Sequence, residues 1–245
     1  MKETRFFYAP SAIIDDSLPE EEAQHALRVL RLKSGDEMML IDGAGNYFRA
    51  EVTLATNKKC MFRILETLPQ ESLWPGRFHL AIAPTKMMER MEWMTEKSTE
   101  MGIDSLSFLL CDNSERKVIK TSRLDKIVVS AMKQSHKAWK PAVNEMASFH
   151  TYINQPHEGL KFIAHCYEEV PRVNLFDALC HATDKQGDVT VLIGPEGDFS
   201  LNEVQQAIAA GFVSVDLGAS RLRTETAGMM AVAMMHLSRQ VQNEK

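Results

Sequence analysis

Apolar residues up to position 72 come in short runs that alternate with polar ones. Beyond position 73 they come in solid runs separated by helical stretches. The alternating runs Arg5–Tyr8, Glu37–Ile41, Tyr47–Leu54 and Lys59–Glu66 predict strands, and Asp42-Gly-Ala-Gly-Asn46 turns the second into the third. Pro19–Leu30 has a helical pattern with acids in its first turn, where the positive end of the helix dipole favours them. Leu73-Trp-Pro-Gly76 interrupts strand and helix alike, which divides the chain into a small β module, 1–72, and a larger domain, 73–245.

The larger domain alternates strands and helices. Phe78–Ala83, Leu106–Leu110, Lys161–Ala164, Val189–Ile193 and Val213–Leu217 are strand-like runs. Helices are predicted at Lys86–Met101, Ser122–Lys137, Asn174–His181, Leu201–Ala210 and Thr224–Gln240. The first should bury Met87, Met91, Met94, Ser98 and Met101 and stop at Gly102. Ser122 with Asp125, and Ser200 with Glu203, have capping-box spacing. This order specifies an α/β fold, a mainly parallel sheet with helices on both faces.

Composition changes little: 44% hydrophobic and 25% charged residues describe an ordinary globular chain. Cys60, Cys111, Cys166 and Cys180 form no C-x-x-C pair, so neither a zinc site nor a disulfide framework is indicated, and no metal is expected. Met1-Lys-Glu-Thr-Arg5 carries an acid and leads into no long apolar run, which reads against a secretory leader, and Ala227–Met235 is too short to cross a bilayer. A cytoplasmic protein is expected. Charge does change the picture. The net value of −5 argues against nucleic acid, yet residues 86–140 hold 11 basic and 8 acidic side chains, with 8 of the basic ones in Glu115–Lys140. Such a patch is either a solvated helix face or a polyanion site.

Ligands of parallel α/β sheets bind beyond the carboxyl ends of the strands. Two loops meet that condition. Gly194-Pro-Glu-Gly-Asp-Phe199 has two glycines that let backbone approach a ligand, and Glu196 can accept from an amine or hydroxyl. It is neither a Walker loop nor a dinucleotide fingerprint. Leu217-Gly-Ala-Ser-Arg-Leu-Arg-Thr-Glu-Thr226 sets polar groups at a helix N-terminus, where free N–H groups attract anions and carbonyls. Read plainly, the loops are a tight connection and an N-cap with solvated arginines. His165 beside Cys166 reads as core packing. No hydrolase or metalloprotease motif occurs.

Leu192-Ile-Gly-Pro-Glu-Gly197 followed by Leu217-Gly and Leu222-Arg-Thr-Glu-Thr-Ala227 resembles the paired signature of the uracil-N3 methyltransferases of ribosomal RNA, the RsmE type, within the trefoil-knotted SPOUT superfamily. His25 to Asp42-Gly43 resembles the N-terminal PUA-like domain of that family. Met91-Glu92, Lys97, Glu100 and Gly102 resemble its M-E-x-x-x-x-K-x-x-E-x-G helix, and Ser114-Glu-Arg116, Gln134-Ser135 and Pro141 follow in order. Two departures stand out: Asp198 replaces the second glycine of G-P-E-G-G, and Lys133 with His136-Lys137 replaces a Glu-Gln-Arg pattern.

The resemblance implies a knotted SPOUT domain behind a small PUA-like β-barrel, and methylation of N3 of a uridine in small-subunit (16S) ribosomal RNA. It implies S-adenosyl-methionine bound by Leu192, Ile193, Gly194, Pro195, Glu196, Gly197, Leu217, Gly218, Ser220, Arg221, Leu222, Thr224 and Thr226. It also implies a homodimer with RNA across it. Methyl transfer to N3 removes an imide proton and leaves negative charge on the flanking carbonyls. Arg223 is the expected stabilising cation, with Arg221 its competitor, and Glu225 a candidate for positioning or proton acceptance. Arg5, Arg28, Arg31, Lys33 and Arg116 are the expected phosphate contacts. A small, flexible helix face, Ala227, Met230, Ala231, Met234 and Leu237, is expected in the dimer contact. Two rival readings stay open at this point: a related enzyme acting on a ribose hydroxyl or another base, and a non-catalytic RNA-binding scaffold.

Overall fold

A computed structural model describes residues 5–184 and 186–243. Residues 1–4, on which the reading against a leader rests, lie outside them. The chain forms two compact units, residues 1–73 with 129–140 and residues 74–128 with 141–245.

In the first unit, β1 (Phe6–Tyr8) precedes α1 (Glu20–Gln24), which continues into a π-helical turn at His25–Val29. The strands β2 (Glu37–Ile41), β3 (Asn46–Ala55) and β4 (Cys60–Pro69) follow. They form a sheet in the order β1-β2-β3-β4, with β1 parallel to β2 and the other pairs antiparallel. One sheet face buries Phe7, Leu40, Phe48, Val52 and Phe62 against Leu18 and Ala26. The β2–β3 turn is held by Asp42, whose carboxylate accepts from the amides of Ala44 and Asn46. Residues 129–140 complete this unit. Trp139 lies against Gly45, where a Cβ would sit 2.3 Å from the indole, and Lys133 pairs with the buried Glu22.

The second unit is built from β5 (Phe78–Ile82), α2 (Met88–Met101), β6 (Ser105–Leu110), α3 (Thr121–Gln134, shared with the first unit), β7 (Ala142–Ser148), α4 (Phe149–Ile153), β8 (Leu160–Ala164), β9 (Val173–Asn174), α5 (Leu175–His181), β10 (Val189–Ile193), α6 (Leu201–Ala209), β11 (Val213–Asp216) and α7 (Thr224–Asn243). Its seven strands run in the order β7-β6-β5-β10-β8-β11-β9, and every pair is parallel. The central β10 is Val-Thr-Val-Leu-Ile, buried at every position, as a strand covered on both faces requires. On one face Leu80, Ile82, Val191 and Ile193 pack with Met91, Met94, Ala231 and Met235 of α2 and α7. Gly228 lets α7 sit close, because a Cβ there would lie 2.8 Å from Ile82 Cδ1. On the other face Ala81, Ile163 and Leu192 pack with Phe199, Val204 and Phe149. Burial of a side chain such as Phe199 contributes about 2–3 kcal/mol.

Three expectations need correction. Met87 precedes α2 and is half exposed, so the buried face is Met91, Met94, Thr95 and Ser98. Ser122 is not a cap, because α3 already begins at Thr121, whose hydroxyl donates to Glu145 instead. Ala231 lies wholly inside the core and Ala227 and Met234 pack against it, leaving Met230, partly buried, and Leu237, exposed, as the outward residues of that face. The Ser200–Glu203 capping box is present with both reciprocal bonds.

Candidate functional site

Neighbouring parallel strands bring their following loops together. Ala164 of β8 stands opposite Ile193 of β10 on one side and Val215 of β11 on the other. The three segments beyond those residues enclose a cavity of about 520 Å³, within the range of small-molecule sites.

The loop after β10 is folded tightly upon itself. A Cβ on Gly194 would sit 2.9 Å from the Phe199 amide nitrogen, so only glycine fits there. Asp198 adopts a left-handed φ of 64°, unusual for a residue with a side chain. Its carboxylate accepts from the amides of Phe199 and Cys166, both at 2.8 Å, and its own N–H donates to Pro195 O. Glu196 accepts from the Lys86 amide at 2.9 Å. Asn113 donates to the carbonyls of Gly197 and Asp198.

The loop after β11 turns at Asp216, which accepts from the Gly218 amide and from Asn174. Gly218 has φ 105°, and a Cβ there would meet no atom within 4 Å. Arg221 and Arg223 are exposed and line the cavity, and their guanidinium groups make no hydrogen bond or ion pair among the described residues. Thr224 and Glu225 open α7 and are buried. Glu225 Oε1 faces Arg90 Nε at 3.6 Å, while its Oε2 has no hydrogen-bond partner among the described residues.

The third wall is Ala164–Cys166 with Arg172; of these, sequence singled out only His165 and Cys166, and read them as core packing. Arg172 donates to the His165 carbonyl at 2.8 Å. Burial holds the His165 imidazole below its ordinary pKa, and its Nδ1 accepts from the Tyr167 amide. Burial raises the Cys166 thiol, and the Asp198 carboxylate adds to the shift.

Of the residues expected to hold a cofactor, Ile193, Gly194, Pro195, Glu196, Leu217, Gly218, Ser220, Arg221, Leu222 and Thr224 line the cavity, as do Arg223 and Glu225. Leu192, Gly197 and Thr226 do not. Leu192 is in the core, and a side chain on Gly197 would grow toward Asn113, 3.2 Å away, rather than into the cavity. Arg90, Arg172 and Asp216 were missed, and His165 was set aside as core packing. The signal for His165 was available, because it ends an apolar strand just as Gly194 does. Arg90, on a helix distant in sequence, gave none. Arg5, Arg28, Arg31 and Lys33 are exposed in the first unit, where Arg5 also donates to Leu30 O. Arg116 is partly buried, and its Nε and Nη2 donate to the carbonyls of Thr85 and Lys86.

A parallel sheet with its site at one set of strand ends, behind a small β module, defines a class that the comparisons with known proteins bear out. The family model for an RNA methyltransferase domain matches residues 72–236, and that for an RNA methyltransferase PUA domain matches residues 18–65. A ribosomal RNA small subunit methyltransferase E from Synechocystis sp. is 32% identical over 95% of this chain and 77% of its own length. The protein of that name from Bacillus subtilis is 26% identical over 89% and 88%. A crystal structure of a probable rRNA-methyltransferase from Porphyromonas gingivalis is 43% identical with a TM-score of 0.90, covering 97% of this chain and 99% of the other. A ribosomal RNA small subunit methyltransferase E from Neisseria gonorrhoeae, solved with S-adenosyl methionine, is 27% identical with a TM-score of 0.82, covering 96% and 98%. The chain belongs to the RNA methyltransferases, in the family of ribosomal RNA small subunit methyltransferase E.

Proposed function

We propose that this chain methylates N3 of a uridine in small-subunit ribosomal RNA, with S-adenosyl-methionine held in the cavity between the β10 and β11 loops. The observation that carries the reading is the meeting of both expected loops around one cavity of suitable volume. The residues fit the cofactor: Glu196 and Asp216 offer carboxylates to a cationic ligand, and Arg172 and Arg221 offer guanidinium groups to its carboxylate. Gly218 leaves open space beside the backbone. When bound, the cofactor supplies an electrophilic methyl carbon, which N3 takes as it gives up its proton, the C–S electron pair staying with sulfur.

The chain's own part is to hold the base in line, accept the proton and stabilise charge on the flanking carbonyls. Arg223 and Glu225, first given those roles from sequence, both reach the cavity wall. N3 is a pairing atom, so the target base must be unpaired or extruded. Residues 1–72, as the RNA-binding PUA-like module, would contact phosphates through Arg5, Arg28, Arg31 and Lys33, all exposed. The reading includes a homodimer, a cytoplasmic location and a knotted backbone. The insertion of β10 between β5 and β8 supports the threading.

The test is incubation of the purified protein with labelled S-adenosyl-methionine and small-subunit ribosomal RNA or subunits, followed by nucleoside mass spectrometry. The expected product is 3-methyluridine. A ribose-methylated nucleoside, a different methylated base or no transfer overturns the reading.

A further inference from the structure

Arg90 enters the cavity from a direction that neither ligand loop supplies. It stands in the first turn of α2, and its Nε makes the 3.6 Å ion pair with Glu225. Its guanidinium has no other hydrogen bond or ion pair among the described residues, so the two terminal nitrogens remain available. Glu225 is 6% exposed, and its Oε2 is buried without a hydrogen-bond partner. A carboxylate this deeply buried is rare, and its place in the wall of a ligand cavity needs an explanation.

Resting on the function proposed above, we infer that Arg90 and Glu225 act as one unit on the target base: Arg90 is the catalytic cation beside a uracil carbonyl oxygen, and the Glu225 carboxylate, whose Oε1 faces Arg90, takes the N3 proton. The role first given to Arg223 passes to Arg90 for a physical reason. A cation accelerates the step only if it is already in place when charge develops, since an exposed side chain must first lose its rotamer freedom. Arg223 is exposed and untethered, whereas Arg90 is tied to a buried partner. The tie uses only Nε, which leaves the two-nitrogen end for a carbonyl. The proton passes from N3 to the Glu225 carboxylate, the N3 electron pair forms the bond to the methyl carbon, and the C–S pair remains on sulfur. Water then takes the proton from Glu225.

The experiment is single-turnover methylation with R90Q, R90K, R223A, E225Q and the R90Q/E225Q pair, with cofactor affinity of each measured by calorimetry. R90Q is expected to slow the chemical step ~10²–10³-fold with cofactor affinity nearly unchanged. R90K should recover part of the loss, because an ammonium keeps the charge and not the fork. R223A should lose less than R90Q. The double variant should be scarcely slower than the worse single one, as residues acting as a unit are not additive. A near-normal R90Q beside a crippled R223A returns the role to Arg223 and overturns the inference. So does a loss of cofactor affinity in R90Q that matches its loss of rate, which would make Arg90 a cofactor ligand. Should R90Q fail to fold, R90K carries the same comparison. Failure of the unsubstituted protein to bind cofactor or to make 3-methyluridine overturns the proposed function instead.

Discussion

Asp198 holds a left-handed backbone because its carboxylate binds the two amides around it, those of Phe199 and Cys166. Glycine, the residue this family commonly has there, reaches the same φ without strain but offers no such bonds. Asp198→Ala loses both bonds and keeps the strain, so it is expected to cost about 2–4 kcal/mol in denaturant unfolding. Asp198→Gly should cost less, because it relieves the strain. Equal losses for the two would show that the backbone angle is unimportant. The Cys166 amide belongs to the β8 wall, so both variants should also weaken cofactor binding by loosening one wall against another. Sequence could mark Asp198 as a departure but not show that its side chain compensates for it, since the partner amide lies 32 positions away.

The helix α2 ends where Gly102 takes φ 93°, and its N–H returns to the Ser98 and Thr99 carbonyls. A Cβ there would stand 2.5 Å from Trp74 Cη2. Gly102→Ala is therefore expected to lower stability by at least about 2 kcal/mol, measured as a shift in the urea midpoint. An unchanged midpoint would mean that the indole moves aside without cost. Elements of this kind were legible because local chemistry marks their ends: Gly102 stops a helix, and Ser200 with Glu203 starts one. The all-apolar β10 announced its own burial. The pair β7 and α4 was not legible. β7 is an edge strand with only Val143, Met146 and Ala147 partly covered, so it shows no apolar run, and α4 is a single short turn. The cavity was legible in its two loops, whose glycines and arginines cluster in sequence. Arg90 and Arg172 were not, because only the sheet order brings them there.

At the scale of the molecule, α7 spends Gly228, Ala231, Val232 and Met235 on its own sheet and turns Leu237 outward, 48% exposed. If that outer face joins two copies, light scattering at micromolar concentration should give twice the 27.7 kDa chain mass, and Leu237→Lys should give a monomer. A monomeric unsubstituted protein would remove the dimer from the reading. RNA affinity should fall with salt, and Arg28→Ala or Arg31→Ala should each reduce the slope of log affinity against log salt by about 1. Arg116→Ala should leave that slope alone, because its guanidinium is committed to the Thr85 and Lys86 carbonyls. The composition of the first unit also bears on how the protein is made. Its β strands end at Pro69, yet the partner of Glu22 is Lys133 and the indole that covers Gly45 belongs to Trp139. A ribosome that has released only the first 73 residues has therefore delivered an unfinished module, with a buried carboxylate lacking its counter-charge. Folding from the N-terminus, the usual order during synthesis, must wait here until Lys140 has emerged, and about a third of the second unit's chain, residues 74–128, is then already in solution.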